Sequence, residues 1–161
     1  MNPPFAAVQF RRMIQADLDC IIEIEQSLKE APHWPRSAYL AALDPQATPC
    51  RIALVAEAPG DGPGRSVVAG FVVASLLPPQ AELETIAIAA QFHRRGLAGQ
   101  IFSALAIELR TARITDLILE VRASNRPARG LYWRAGFSET GRRPRYYHDP
   151  VEDAVLMRLA L

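Results

Sequence analysis

Apolar residues recur along this chain with two different periods, and the switches between them mark its elements. "VQFRRM", from Val8 to Met13, reads as a short strand. In "ADLDCIIEIEQSL", Leu18, Ile21 and Ile22 fall on one helical face, with Asp17 as the expected N-cap. Pro32 and Pro35 in "KEAPHWP" forbid continuing that helix, and "RSAYLAAL" predicts a second short one. "CRIALVAE" and "SVVAGFVVASLL" are β-rich runs joined by "APGDGPGR", a hairpin loop by composition. "AELETIAIAA" is the next strand. In "QFHRRGLAGQIFSALAIELRTAR", Leu97, Ile101, Phe102, Leu105 and Leu109 share one face at helical spacing, which predicts the longest helix. "TDLILEV" returns to period two, and "RPARGLYWRA" is a short helix closed by Gly136. "GFSETGRRPRYYH" and "EDAVLMRLAL" are two last strands around a loop. The order β-α-α-β-β-β-α-β-α-β-β predicts one α/β domain over residues 1–161, a mixed sheet with flanking helices.

Composition narrows the class. Half of the residues are hydrophobic and the formal net charge is +1, so nothing calls for nucleic acid or an anionic membrane as partner. "MNPPFAAVQFRR" lacks a signal peptide's basic start and long apolar stretch, and no apolar run approaches the roughly 18 residues of a membrane span. A cytoplasmic protein is expected. Cys20 and Cys50 have no metal or redox spacing and are expected to be reduced, mostly buried thiols. His33, His93 and His148 are scattered, and no metal is expected.

The turn "HRRGLAG", His93 to Gly99, leads from a strand into the long helix. The first amides of a helix are unpaired and its dipole adds partial positive charge, so such a turn suits an anion. Arg94 and Arg95 add formal charge, while Gly96, Ala98 and Gly99 are small enough for close approach. By themselves these features also suit an ordinary solvated helix start. The turn is neither a Walker loop nor a Rossmann fingerprint. It resembles the Arg/Gln-x-x-Gly-x-Gly/Ala motif of the GNAT superfamily of N-acetyltransferases, through His93, Arg94, Arg95, Gly96, Leu97 and Ala98. His93 stands where Gln or Arg is usual. The resemblance implies a GNAT-like fold and acetyl-CoA as co-substrate, its pyrophosphate on the loop's amides. It also implies that the backbone of Ile86, Ala87 and Ile88 pairs with the pantetheine arm.

In "TDLILEV", Leu117, Leu119 and Val121 share one face, and Ile118 and Glu120 the other. A half-buried carboxylate needs a partner, such as Arg122, or a use. "LEVRASN" followed by "LYxxxGF", and on through "RRPRYYHDPVEDAVLMRL", is similar to the ribosomal-protein-alanine N-acetyltransferases, the RimI group. The similarity implies Glu120 as general base, Tyr132 as general acid and Asn125 as a coenzyme contact. It implies that Tyr146 and Tyr147 hold the acceptor's first residues, with Trp34 from the first loop beside them. The plainer readings are helix packing for Tyr132, β-propensity for the tyrosine pair and a hydrophobic anchor for Trp34. Arg142, Arg143 and Arg145 are expected in a solvated hairpin, with a coenzyme-phosphate or structural role.

The activity so implied is direct, ternary-complex acetyl transfer to the N-terminal amine of a protein, a small-subunit ribosomal protein beginning with alanine. No acyl-enzyme is required, so neither cysteine needs to be a nucleophile. The alternatives are acetylation of a small-molecule amine or a lysine side chain on the same fold, and a non-catalytic acetyl-CoA-binding module.

Overall fold

A computed structural model describes residues 8–161; most of the amino-terminal stretch weighed above for a leader lies outside the described residues. The elements are β1 (Gln9–Arg12), α1 (Leu18–Gln26), α2 (Arg36–Leu43), β2 (Arg51–Pro59), β3 (Ser66–Leu77), β4 (Gln80–Ile88), α3 (Leu97–Thr111), β5 (Asp116–Arg122), α4 (Arg126–Arg134), β6 (Ser138–Tyr147) and β7 (Glu152–Ala160). Their order is the one read from the sequence. Short 3-10 turns precede α1 and α3.

One seven-stranded sheet runs β1-β2-β3-β4-β5-β7-β6. It consists of two antiparallel halves, β1 to β4 and β5-β7-β6, joined by a single parallel contact between β4 and β5. The long helix α3 covers one face, where Leu97, Ile101, Phe102, Leu105 and Leu109 meet Leu54, Val72, Leu117 and Leu119. On the other face Leu18, Ile21 and Tyr39 of α1 and α2 pack on Val55, Phe71 and Val73. Burying both faces explains why β2 and β3 read as nearly continuous apolar runs.

The β4–β5 contact is brief. Gln80, Ala81 and Glu82 pair with Asp116, Leu117 and Ile118, and there the pairing ends. A β-bulge lies just past that point. Val73 and Ala74 of β3 face Thr85 and Leu83, which leaves Glu84 as an extra residue in β4. A bulge bends its strand and raises its twist. It also moves the alternation by one, so Leu83 and Ile88 both lie in the α3-side core while Ala87 lies in the other. Arg51 fixes the Glu84 carboxylate, from Nε at 2.6 Å and a terminal nitrogen at 3.2 Å. Beyond it β4 swings away from β5 and the sheet opens.

Two local details differ from expectation. Asp17 is the N-cap residue of α1, as expected, but its side chain does not bond forward into the helix. Its carboxylate accepts from the Ile14 amide behind it and from Arg11, both at 2.8 Å, tying the helix entry to β1. Burial opposes the charge on Asp17, but these donors outweigh it and hold its carboxyl below the usual range. Cys20 and Cys50 are exposed rather than buried. Cys20 lies on α1 off the Leu18–Ile21–Ile24 face, and Cys50 precedes β2.

Because Leu105 is fully buried and Ile107 is 64% exposed, Leu105→Ala should cost about 2–5 kcal/mol in urea unfolding. Ile107→Ala should stay within about 0.5 kcal/mol of the parent.

Candidate functional site

The turn before α3 is built for close approach. Gly96, at φ +74°, is the N-cap in the left-handed region, and Arg94 is left-handed too at φ +58°. That path turns the chain sharply and leaves the amides at the start of α3 without intrahelical acceptors. A Cβ placed on Gly96 or Gly99 would meet no atom within 4 Å, so the space beside both is open. It continues as a groove of about 630 Å³ lined by Gln100, Ser103 and Ala104 of α3 and by Arg134 and Ala135 at the end of α4. His93 does not point along this groove. Its Nε2 lies 2.7 Å from the carbonyl oxygen of Ile88, so the residue that departs from the motif ties the turn to the last residue of β4. Arg95 stacks over Phe92, 5.8 Å from the ring centre.

Past that turn, Ile86, Ala87 and Ile88 form the far wall of the opening, the part of β4 that no longer pairs with β5. The near wall is β5 from Leu119 to Arg122, followed by α4. Asn125 caps α4, its Oδ1 accepting from the Ala128 amide at 3.2 Å, and Pro127 sits in the first turn. At the other end the Phe137 amide donates to Tyr132 and the Gly136 amide to Trp133, with Gly136 at φ +100°. This is a Schellman motif, in which the residue after the glycine packs back onto the helix. Here the packed pair is Tyr132 and Phe137, with ring centres 5.6 Å apart, and Phe102 of α3 closes the cluster at 6.2 and 5.4 Å. The "LYxxxGF" spacing therefore has a physical reason: the left-handed glycine and the phenylalanine hold Tyr132 in place. Burial, with a smaller contribution from Tyr147, pushes the Tyr132 phenol up to about 12.

Glu120 stands on the opposite face. Its side chain is 21% exposed, and Arg143 of β6 reaches it at 3.2 Å. Arg122, the partner expected from the sequence, shares that face but lies over the Tyr147 ring instead, 4.3 Å from its centre. Interaction with the nearby Glu120 carboxylate raises the Tyr146 phenol above its ordinary value. Burial first, then the charge of Glu120, raises Tyr147 as well. Tyr147 is thus within electrostatic reach of both Glu120 and Tyr132, which approach the opening from the two faces of the sheet. Of the basic cluster, Arg143 lies beside Glu120 and Tyr146 rather than along the groove at α3, while Arg142 pairs with Glu139 at 3.0 Å.

Trp34 packs on Tyr39 at 5.3 Å and its amide donates to the buried Glu25 at 2.9 Å, so it anchors the loop between α1 and α2. Sequence reading missed Glu82. Burial, then Glu120 and Glu84, push its carboxyl up against the opposing pull of Arg143. Its signal was a carboxylate at alternating spacing in "AELET", but its nearness to Glu120 depends on the β4–β5 register. Among the described residues no group of three His, Cys, Asp or Glu side chains could hold a metal ion, and no helix is long and apolar enough to cross a membrane.

An acetyltransferase (GNAT) family model matches residues 19–137. A Bacillus subtilis protein named "Putative ribosomal protein bS18-alanine N-acetyltransferase" is 34% identical over 148 residues, 91% of each chain. The ribosomal protein bS18-alanine N-acetyltransferase of Salmonella typhimurium is 38% identical over 96 residues, covering 58% of this chain and 65% of that one. The crystal structure of the ribosomal-protein-S18-alanine N-acetyltransferase from Escherichia coli superposes with a TM-score of 0.76 at 28% identity, covering 96% of this chain and 94% of the other.

A side chain at Gly136 is strained by the positive φ and would meet Leu159 at 3.3 Å. Gly136→Ala should therefore cost about 1–2 kcal/mol in chemical denaturation. It should also loosen the Tyr132–Phe137 pair, seen as faster amide exchange at Phe137.

Proposed function

The chain belongs to the GNAT family of acetyltransferases, and we propose that it transfers the acetyl group of acetyl-CoA to the N-terminal amine of a protein. The observation that carries this reading is the convergence of Glu120, Tyr132 and the Tyr146–Tyr147 pair on one end of the β4–β5 opening. The relatives named above favour, as acceptor, a small-subunit ribosomal protein beginning with alanine. In this reading the amides at the start of α3, with Arg94 and Arg95, hold the pyrophosphate. The free edge of β4 at Ile86, Ala87 and Ile88 pairs with the pantetheine arm, and Asn125 flanks it from the α4 side.

An α-amine has a pKa of about 7.7–8.0, so much of it arrives protonated at neutral pH. Glu120, directly or through one water, accepts that proton, and the freed lone pair attacks the thioester carbonyl. Backbone amides of the opening stabilise the oxyanion. Collapse breaks the carbon–sulfur bond and releases CoA as a thiolate. Tyr132 donates to that sulfur. Tyr146 and Tyr147 line the acceptor side, where their rings and hydroxyls suit a peptide backbone, and Trp34 steadies the facing loop. A small-molecule amine needs no such clamp.

A phenol pushed up to about 12 stays protonated until roughly pH 11, so Tyr132 remains a donor through the whole working range. Turnover should show no alkaline loss from Tyr132 between pH 7.5 and 9.5, and Tyr132→Phe should be slower by about 10²–10⁴-fold throughout. Glu120→Gln should lower kcat most at low pH, where deprotonation limits. If both variants matched the parent across pH 6–9, these roles would be wrong.

The acceptor is tested with acetyl-CoA and peptides beginning Ala, Ser, Thr or Met, an internal-lysine peptide and a polyamine, following thiol release. The Ala peptide should lead. Preference for the polyamine or the lysine would sink the N-terminal reading, and no thiol release with any acceptor would leave a binding module.

A further inference from the structure

Between Arg122 and Arg145 the chain carries seven arginines and a single carboxylate, Glu139. The formal net charge of +1 averages this run against a more acidic remainder. The fold divides the run between two faces. Arg143 registers with Ala154 and turns toward Glu120. Arg142 and Glu139 register with Val155 and Met157, which lie in the α3-side core, so they share the face that α4 covers. On α4, Arg126, Arg129 and Trp133 recur at i, i+3 and i+7 and form one outward stripe. The other side of the helix, with Ala128, Leu131 and Tyr132, packs on the core. Stripe and sheet enclose a cleft of about 260 Å³ lined by Arg126, Arg129, Gly130, Trp133, Glu139 and Met157. The Trp133 indole is 67% exposed at its rim. Glu139 is shared by Arg129 at 3.5 Å and Arg142 at 3.0 Å, and all three side chains reach solvent. Ion pairs this open are weak and yield to a better anion. Among the described residues Arg126 has no carboxylate within ion-pair distance.

Such a cleft fits an anion with a flat face. Guanidiniums pair with phosphates and stack on rings, and an exposed indole stacks on any nucleobase. An acidic peptide would satisfy the arginines but leave the indole bare. An apolar partner would cover the indole but strand the charges. A duplex keeps its bases stacked inside, out of reach of the indole. We propose that the outer face of α4 binds single-stranded nucleic acid, with bases on Trp133 and phosphates on Arg126, Arg129 and Arg142. Arg126 and Trp133 lie two turns apart, about 10 Å along the axis, so the strand runs along the helix. The cleft lies across α4 from the groove lined by Gln100, Ser103 and Arg134, and on the opposite face of the sheet from Glu120. It shares no residue with the proposed transfer chemistry, so a strand and acetyl-CoA bind without competing.

The test is fluorescence anisotropy of labelled oligoadenylate strands, one RNA and one DNA, titrated with the full chain at low and physiological salt. Binding of either strand is expected, and the tighter one names the source. Three phosphate contacts should weaken binding about 20-fold between roughly 50 and 200 mM salt. Trp133→Ala should weaken it roughly tenfold, the scale of one stacked base, and Trp133→Phe, which keeps a ring, should recover part of that. Arg126→Gln and Arg142→Gln should each weaken binding and flatten the salt slope by about 0.7. Arg65→Gln, an exposed cation just before β3, should match the parent. Undiminished binding in Trp133→Ala, or a loss in Arg65→Gln equal to that in Arg126→Gln, would overturn the proposal. So would displacement of the strand by acetyl-CoA, or tighter binding of a duplex or of polyglutamate than of either strand.

Discussion

Everything distinctive in this protein follows from a sheet that begins to zip and then stops. β4 and β5 share three residue pairs, after which each strand runs on with its inner edge unpaired. Backbone amides and carbonyls are strong hydrogen-bonding groups that must find partners. Exposed strand edges invite any extended ligand with amides of its own. In the proposed function acetyl-CoA is such a ligand: the gap would then bind it through main chain, and side-chain identity along Ile86, Ala87 and Ile88 would matter there mainly for packing.

The gap stays open because each wall is held from outside. β4 is bent by the bulge at Glu84, which Arg51 clamps, and is paired to β3 along its length. β5 is zipped to β7 over seven residue pairs. Ser124 at the end of β5 donates its amide and hydroxyl to Glu152 at 2.7–2.8 Å, fixing the turn into α4. Cores on both faces lock these strands in place. A site so framed is organised before any ligand arrives, which is what catalysis by positioned donors and acceptors requires.

Much of this was legible in the sequence, for reasons that are local. Helix α3 announced itself by Leu97, Ile101, Phe102, Leu105 and Leu109, and the strands by composition and punctuation. Glu120 stood out because a carboxylate broke an apolar alternation. What escaped depends on register and on bulges, which no local pattern encodes. Glu82 and Glu120 are 38 residues apart in sequence and meet only through the β4–β5 pairing. Arg143 rather than Arg122 reaches Glu120 because β6 folds back on β7 with an irregular register between Arg143 and Tyr147. Asp17 stands at the N-cap position read for it, but its bonding partner escaped for a related reason: the arginine that draws its carboxylate backward belongs to the preceding strand.

The raised phenol of Tyr132 limits what this residue can do. A thiol of ordinary character ionises near 8.5, so complete proton transfer from a phenol at about 12 to a free thiolate runs uphill by about three to four pH units. In the proposed transfer, Tyr132 is better suited to giving a strong hydrogen bond to the sulfur as negative charge builds there, with water completing the protonation after CoA leaves. The apolar cage of Phe102 and Phe137 that raises the phenol also strengthens that bond, since an electrostatic contact counts for more where the local dielectric is low. On this view the Schellman turn at Gly136 and the aromatic cluster act together. They keep one hydroxyl protonated and fixed at the edge of the opening, while the charged groups Glu120 and Arg143 lie on the wetter face of the sheet.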